Sequence, residues 1–462
     1  MKTEISSAMP PADAEPSLLR EKVVVPLLGL ILVLVIMNTM MFNLALPVVT
    51  EQFALSSSAA SWIVTGYSIV FAISSITYSR LSDLVPIRYL LSFGLLCLGG
   101  ASIAGFLSHD FVILLCARIV QAAGAGSVMS LAIVLISRYV PLSRRGKAMA
   151  LISSAASLGL GLGPVVGGAI TQFWGWNDLF LVTGCSLLLI PVVFRLLPEE
   201  PFVKGSFDWP GALLIGIGST GLLLFLTGGS FVALAAGIVG LFAFWLRIRS
   251  AAEPFVQPAL LRNKRYLLLG SLGLFAYINS FALLFLLPQL LAHLYGLKPG
   301  ISGLIVFPGA FVSMLASNAI GKGIDRYGNG LLLRVAPWPI AVSGLLFALF
   351  ADQSYFAVMF IYMLMIVGFS ALNASVSNEM SRILPAANIG AGMGLFQLIQ
   401  FFSGAFSVAV CGSFLAARER FPLADTYALI FWGLMGIGLL SVLCSFVYLG
   451  SNRGSRADGV AG

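Results

Sequence analysis

Charge is what this chain has least of. Asp, Glu, Lys and Arg together make up 10% of its 462 residues, where about 25% is usual for soluble globular domains. Hydrophobic residues reach 59% and the mean hydropathy is +1.00. That composition excludes a soluble enzyme and places the chain in a bilayer. Histidine is nearly missing too. His109 and His293 both fall in expected loops, which leaves no basis for a histidine-built metal or catalytic centre. The five cysteines (Cys97, Cys116, Cys185, Cys411, Cys444) all lie inside apolar runs. They are odd in number and show no metal-ligand spacing, so they read as packing residues. No catalytic residue, cofactor or metal is expected. Acid is scarce where it would matter most: every Asp and Glu falls in an expected loop, tail or span end, with Asp83, Asp325 and Glu379 nearest the membrane.

What remains is apolar sequence cut into about fourteen runs of membrane-spanning length. Residues 1–22 are polar and read as a disordered cytoplasmic tail, and residues 451–462 as a second one. The run after Lys22 has no short apolar core and no small-residue cleavage site, so it is the first span rather than a removable signal. The stretch from Trp209 to Leu246 is uncharged and too long for one span, and Gly228-Gly229-Ser230 divides it in two. The net charge of +8 could suggest nucleic acid, but the basic positions exclude that. With the N-terminus inside, 22 of the 26 Lys and Arg fall on inner loops, three (Lys298, Arg418, Arg420) on outer ones, and Arg118 within a span. Such asymmetry puts both termini in the cytoplasm.

A faint repeat runs through the chain. Leu46-Pro47 recurs as Leu287-Pro288, Leu-Ser-Asp83 as Gly-Ile-Asp325, and Gly146-Lys147-Ala148-Met149 as Gly390-Ala391-Gly392-Met393, at offsets of 241, 242 and 244. Three matches in one order at nearly one offset predict two homologous six-helix bundles, at 23–200 and 251–450, with two inserted helices at 201–250. Transporters built from such halves hold their substrate near mid-membrane, between the halves.

The most informative stretch is Leu158 to Gly168, Leu-Gly-Leu-Gly-Leu-Gly-Pro-Val-Val-Gly-Gly. Gly159, Gly163 and Gly167 recur every four residues, which makes a ridge without side chains against which a second helix can lie. Pro164 removes a backbone donor in mid-span and should bend the helix. In the second-to-third loop, Arg80-Leu81-Ser82-Asp83 and Arg88 cluster charge where one half could dock against the other, and Asp325-Arg326 forms a weaker copy. Arg118 is the one basic residue deep in a span. A charge there costs at least ~2.5 kcal/mol on insertion scales, so it should face a cavity or a partner unless it snorkels. Gln121, Asn38, Asn43, Asn279, Gln289, Asn318, Asn373, Gln397 and Gln400 are the other mid-span polar residues, with Trp62, Tyr67 and Tyr277 as candidate cavity neighbours. Gln397 and Gln400 are three apart and share a helix face. Each of these polar residues serves equally as interhelical glue.

The Gly-Pro-x-x-Gly-Gly ending at Gly168 resembles the fifth-helix signature of drug exporters of the major facilitator superfamily. The segment Ser79 to Arg88 is similar to that superfamily's most recurrent motif, with Ser79 and Pro86 in place of two glycines. Arg118-Ile119-Val120-Gln121-Ala122-Ala123-Gly124 resembles the exporters' fourth-helix motif, with Ala122 replacing a glycine. The resemblance covers nearly the whole chain and is nearest to the fourteen-helix drug:proton antiporters of the tetracycline-exporting, Gram-positive type.

That resemblance implies an all-α membrane protein of the major facilitator fold: two six-helix bundles plus two central helices, usually a monomer. It implies export of small amphipathic drugs or toxins across the bacterial plasma membrane by alternating access and proton antiport, and so antibiotic resistance. It also implies a role for Arg118 in proton transfer or in placing the substrate, and the mid-span polar residues Gln121, Asn38, Asn43, Asn279, Gln397 and Gln400 are expected to share that substrate and proton pathway. The conformational latch would be Asp83, Arg80, Arg88, Asp325 and Arg326, and the helix-packing signature Gly159, Gly163, Pro164, Gly167 and Gly168. Those exporters carry buried acids in three spans where this chain has Thr39, Leu160 and Gly404. A neutral, zwitterionic or anionic substrate is therefore expected. The alternative is a facilitator or importer of a neutral or anionic metabolite that needs no proton.

Overall fold

A computed structural model describes residues 20–457, apart from 56, 204, 206, 252–253, 257, 298, 386–388 and 418–421. Most of the first expected tail lies outside the described residues; of the second, 451–457 continue the last helix, which runs to Ala457, and 458–462 lie outside. Within them the chain is helical throughout, with no strand, as lipid demands of a backbone that must bond to itself. The first rods are α1 (Glu21–Gln52), α2 (Ser57–Leu81), α3 (Ile87–Phe106), α4 (Phe111–Tyr139) and α5 (Leu142–Phe173). A sixth rod follows, made of α6 (Leu179–Gly184) and α7 (Ile190–Leu196) joined by the 3-10 helical stretch Cys185–Leu189. Next come α8 (Trp209–Gly228), α9 (Phe231–Ser250) and the short α10 (Pro258–Arg262). The second set is α11 (Lys264–Tyr295), α12 (Pro299–Tyr327), α13 (Asn329–Val335) continued by α14 (Pro337–Phe350), α15 (Tyr355–Ile383), α16 (Ile389–Ala417) and α17 (Leu423–Ala457). Among the described residues, twelve segments are long and apolar enough to cross a membrane. The other two expected runs are the helices α2 and α8, of 25 and 20 residues.

The helix ends follow from side chains that satisfy otherwise orphaned amides. Asp110 accepts from the amides of Val112 at 2.7 Å and Ile113 at 3.3 Å and starts α4. Asn263 does the same for α11, and Ser354 for α15. The turn expected at Gly228-Gly229-Ser230 is present. Gly229 adopts φ +66°, a backbone that favours glycine, and Ser230 caps α9.

The two sets pack alike. In the first, α1 lies on α5, α4 on both α2 and α3, and α3 on α6; in the second, α11 lies on α16, α15 on both α12 and α14, and α14 on α17. Helix starts in the two sets are separated by 242 to 247 positions, so the faint sequence repeat is a repeat of structure. The sets meet along α5 with α12 and α2 with α16, two pairs that exchange under the same pseudo-symmetry. The α8–α9 hairpin rests against α2 and α16. Asp208 ties it down, accepting from the Gly211 amide, the Phe255 amide and Arg247 Nε, each at 3.1 Å.

α5 is the shared axle. A Cβ added at Gly159 would lie 2.9 Å from Ile36 Cβ and the Val33 carbonyl, one at Gly163 2.3 Å from Met40 Cβ, and one at Gly167 2.7 Å from Met41 Cα. The ridge therefore seats α1. The opposite face of α5 seats α12: a Cβ at Gly161 would come within 2.5 Å of Ala310 Cβ, and one at Gly303 within 3.2 Å of Pro164. Gly168, beside the ridge, is half-buried.

Gly163→Ala forces Met40 and its backbone outward, at a cost of ~1–3 kcal/mol for overpacking. Purified in detergent, this variant should unfold at a lower temperature than the parent. Gly100→Ala, at a position with nothing within 4 Å of the added carbon, should leave the transition where it was.

Candidate functional site

Arg118 stands seven residues into α4, about 10 Å along its axis. Only 1% of the residue is exposed, so the guanidinium neither reaches lipid nor snorkels. It is enclosed between α1, α2 and α4. Nη1 donates to Gln121 Oε1 at 2.9 Å and to Asn38 Oδ1 at 3.4 Å. The guanidinium carbon lies 4.0 Å from the centre of the Phe42 ring and 4.1 Å from that of Tyr67, where ring quadrupoles attract a cation. Gln121 passes the network on, donating to Ser102 Oγ at 2.7 Å and Thr183 Oγ1 at 3.3 Å.

No carboxylate forms an ion pair with Arg118 among the described residues. Three buried polar atoms of this cluster have no bonding partner: Arg118 Nε, Asn38 Nδ2 and Tyr67 Oη. All three can donate. A buried donor without an acceptor costs about 1–3 kcal/mol, and a buried cation without a counter-charge costs more. A buried cation ringed by idle donors suits an incoming acceptor with negative charge.

A second polar group occupies the seam between the halves. Gln397 of α16 accepts from Ser75 of α2 and donates to the Met129 carbonyl of α4 at 3.3 Å. Gln400 donates to Asn373 at 3.1 Å, and Asn373 donates to Ser153 of α5 at 3.1 Å. Ser157 bonds Ser370 at 3.0 Å, Ser370 bonds Ser313 at 2.6 Å, and Ser154 donates to the Ser313 carbonyl at 3.1 Å. Every member of this layer is neutral, and it joins α2, α4 and α5 to α12, α15 and α16.

The expected pathway residues therefore divide. Arg118, Gln121 and Asn38 form one cluster, while Gln397, Gln400 and Asn373 form the seam, with Tyr277 buried nearby against Phe369. Asn279 and Gln289 instead donate to carbonyls of their own helix, Phe275 and Phe285, each at 3.0 Å. Asn318 and Trp62 are exposed. The side chain of Asn43 lies outside the described residues. The serines Ser153, Ser154, Ser157, Ser313 and Ser370 were missed, because single hydroxyls in apolar helices look like packing residues. Their signal was position: Ser153, Ser157 and Gly161 share one row of α5.

The latch also divides. Asp83 bonds Arg80 at 2.8 Å and Arg138 at 2.6 Å, both in its own half. Burial pushes its carboxyl up from the usual range, against the pull of Arg138 and Arg80. Arg88 pairs not with Asp83 but with Glu199, at 2.6 Å, and lies over Tyr89 and Phe194. Arg326 is exposed beside Tyr327. The contact expected of Asp83, docking onto a helix start of the opposite half, is made among the described residues by its copy. Asp325 accepts from the Gly146 amide in the first turns of α5 at 3.0 Å, where the helix dipole favours an anion. Asp83 is already matched by two guanidinium groups and has less to gain there. Arg145 adds a bond to Ser381 at 3.2 Å. Ser79, standing where the motif has glycine, still allows close approach, because the glycine is on the other side: a Cβ at Gly394 of α16 would lie 2.9 Å from Ser79 Cβ.

Asp325→Asn removes an interaction of about 1 kcal/mol between the halves. Spin labels at positions 144 and 326, in a background lacking the native cysteines, should report a several-fold larger population of a longer distance. Asp83→Asn, confined to one half, should lower thermal stability and leave the distance distribution unchanged.

Known proteins carry the same architecture. The profile of the Major Facilitator Superfamily matches residues 28–408. The chain is 26% identical to the riboflavin transporter RibZ of Clostridioides difficile, over 81% of this chain and 84% of that one. It is 27% identical to the multidrug resistance protein Stp of Mycobacterium tuberculosis, over 84% and 75%. To a lincomycin resistance protein of Streptomyces lincolnensis it is 26% identical, over 92% and 91%. Among solved structures it resembles the human organic anion transporter MFSD10, with a TM-score of 0.68, 18% identity and coverage of 92% and 99%. The proton:xylose symporter XylE superposes with a TM-score of 0.68 at 14% identity, over 92% and 95%. With the repeated bundles, the paired seams and a profile covering most of its length, the chain belongs to the major facilitator superfamily: a multi-pass membrane transporter, not an enzyme.

Proposed function

We propose that this transporter exports small amphipathic compounds across a bacterial plasma membrane, with the bundles of residues 23–200 and 251–450 rocking about the α5–α12 and α2–α16 seams. In this reading α2 and α8 also span, giving fourteen crossings with the hairpin of 201–250 between the bundles. The basic loops favour both termini in the cytoplasm, and the fold works as a monomer. Two relatives named for drug and lincomycin resistance support the outward direction. The observation that carries the substrate preference is the enclosed Arg118 with its three idle donors, which suits an anionic, zwitterionic or neutral hydrogen-bonding molecule over a cation.

Proton antiport is what the exporter resemblance implies. A second reading, a facilitator that needs no pH gradient, is favoured by one specific observation: among the described residues no acid stands in the middle of a span, where a proton carrier would be desolvated and tuned. The RibZ likeness keeps a metabolite substrate within that reading.

In everted vesicles from cells expressing the chain, uptake from a panel of antibiotics and antiseptics should depend on the transporter, and uptake that requires an acidified lumen at zero potential would mark proton antiport. Flux that ignores the gradient favours the facilitator. Arg118→Ala should lower transport at least about 10-fold at unchanged expression, since each 1.4 kcal/mol of lost binding is worth a factor of ten. Near-normal transport by that variant would remove Arg118 from the pathway.

A further inference from the structure

The charges at mid-depth fix what one transport cycle can move. Away from the helix ends, where Arg145 stands, the described residues of the spans hold one buried cation, Arg118, among neutral amides and hydroxyls. The groups packed around Arg118 are Asn38 and Phe42 from α1, Tyr67 from α2, and Gln121 from its own helix, with Ser102 of α3 and Thr183 of α6 beyond. None of these neighbours carries a carboxyl or an imidazole, so the set around Arg118 holds no acid that could carry a proton against the cargo. His109 lies outside the spans, and His293 sits at the far end of α11 bonded to Tyr427.

A carrier whose own charge never changes moves only the charge of its cargo. The protein returns to its starting state with +1 at Arg118 in every cycle, so that charge cancels. What is left is the charge on the substrate.

Resting on the export reading above, we infer that this protein is an electrogenic exporter of organic monoanions, driven by the membrane potential rather than by protons. A carboxylate or sulfonate accepts from the idle donors Arg118 Nε, Asn38 Nδ2 and Tyr67 Oη and neutralises the guanidinium while the site is closed off from water. No bond is made or broken. One negative charge crosses outward with each molecule, and no second ion moves with it. In a cell with a negative interior this movement is downhill. A potential of about 100 mV supplies about 2.3 kcal/mol per charge, which corresponds to a gradient of about 50-fold. The inference also gives the missing mid-span acids a reason: a carboxylate there would pair with Arg118 and compete with the cargo.

The test uses the full chain purified into proteoliposomes, with three fluorescent probes alike in shape and different in charge. These are naphthalenesulfonate, naphthalenesulfonamide and naphthylmethyl-trimethylammonium. A valinomycin potassium potential of about 100 mV, positive inside, should draw naphthalenesulfonate in to about 50-fold, whichever way the protein is inserted. A pH gradient of about two units with the potential clamped at zero should draw in none. Arg118→Lys, which keeps the charge, should retain the voltage dependence at reduced rate, and Arg118→Gln, checked for intact folding by size-exclusion chromatography, should lose sulfonate flux. Sulfonate flux that follows the pH gradient, or is indifferent to the potential, overturns the inference and leaves the export reading standing. Carrier-dependent flux of the cation or the neutral probe without the sulfonate does the same. Absence of flux for all three overturns the inference and counts against export of amphipathic compounds as well.

Discussion

Two helices can lie against α5 from opposite sides because α5 offers them almost no side chain. Gly159, Gly163 and Gly167 admit the backbone of α1 on one face, and Gly161 and the surface beside Pro164 admit α12 on the other. In lipid there is no hydrophobic force to drive helices together, so association depends on close van der Waals contact and interhelical bonds. The glycine rows supply the first. They leave α5 a smooth rod on which a second rod can shift with little steric interlocking. A residue with a branched side chain at either face would hold the halves apart or jam them.

The bonds across the seam are graded along the same axis. In the middle they are neutral: Ser157 to Ser370, Asn373 to Ser153, Gln397 to Ser75. At the end where α5 begins they involve charge, Asp325 on the Gly146 amide and Arg145 on Ser381. Neutral hydroxyl and amide bonds in a membrane are worth about 0.6 kcal/mol each, because groups released from one partner find another. A layer of such bonds holds the halves together and, in the proposed rocking motion, can be exchanged for water or for cargo. Charge is confined to the rim, where water solvates whatever is released.

Much of the architecture was legible in the sequence because lipid permits few solutions. Loop charges and span lengths predicted the rods, and all of the expected runs are helices, although the sixth tightens to a 3-10 helix at Cys185–Leu189. The repeat, read from three short matches, recurs as a repeat of packing. The glycine spacing announced a close helix neighbour and left open which one; only the fold could say that α1 and α12 share α5. The site was legible to the extent that chemistry is unusual in lipid. Arg118, Gln121 and Asn38 stood out because polar groups at depth are costly, and the structure gathers them. The serines of the seam did not stand out, since a lone hydroxyl satisfies itself on its own helix. The division within the latch residues was not legible: two copies of one acidic motif look alike in sequence, and only geometry shows that Asp83 is bonded by Arg138 while Asp325 accepts from the Gly146 amide of α5.

The pseudo-symmetry that relates the halves fails at the cation, and that failure gives the centre of the protein a direction. α4 and α15 are matched helices starting at Phe111 and Tyr355, so the positions of Arg118 and Gln121 correspond to Tyr362 and Met365. Both of these are buried, at 2% and 0% exposure, among apolar neighbours. The first bundle thus places a guanidinium where the second places a ring, and the second adds Tyr277 stacked on Phe281 and edge-on to Phe369. On the reading proposed here, a molecule held between the bundles meets charge and idle donors on one side and aromatic faces on the other. An amphipathic substrate has one orientation that satisfies both. A cation, or a molecule polar at both ends, has none that avoids burying an unpaired group. On that same reading, the symmetry of the scaffold serves opening to either side of the membrane, and its breach at Arg118 selects the cargo.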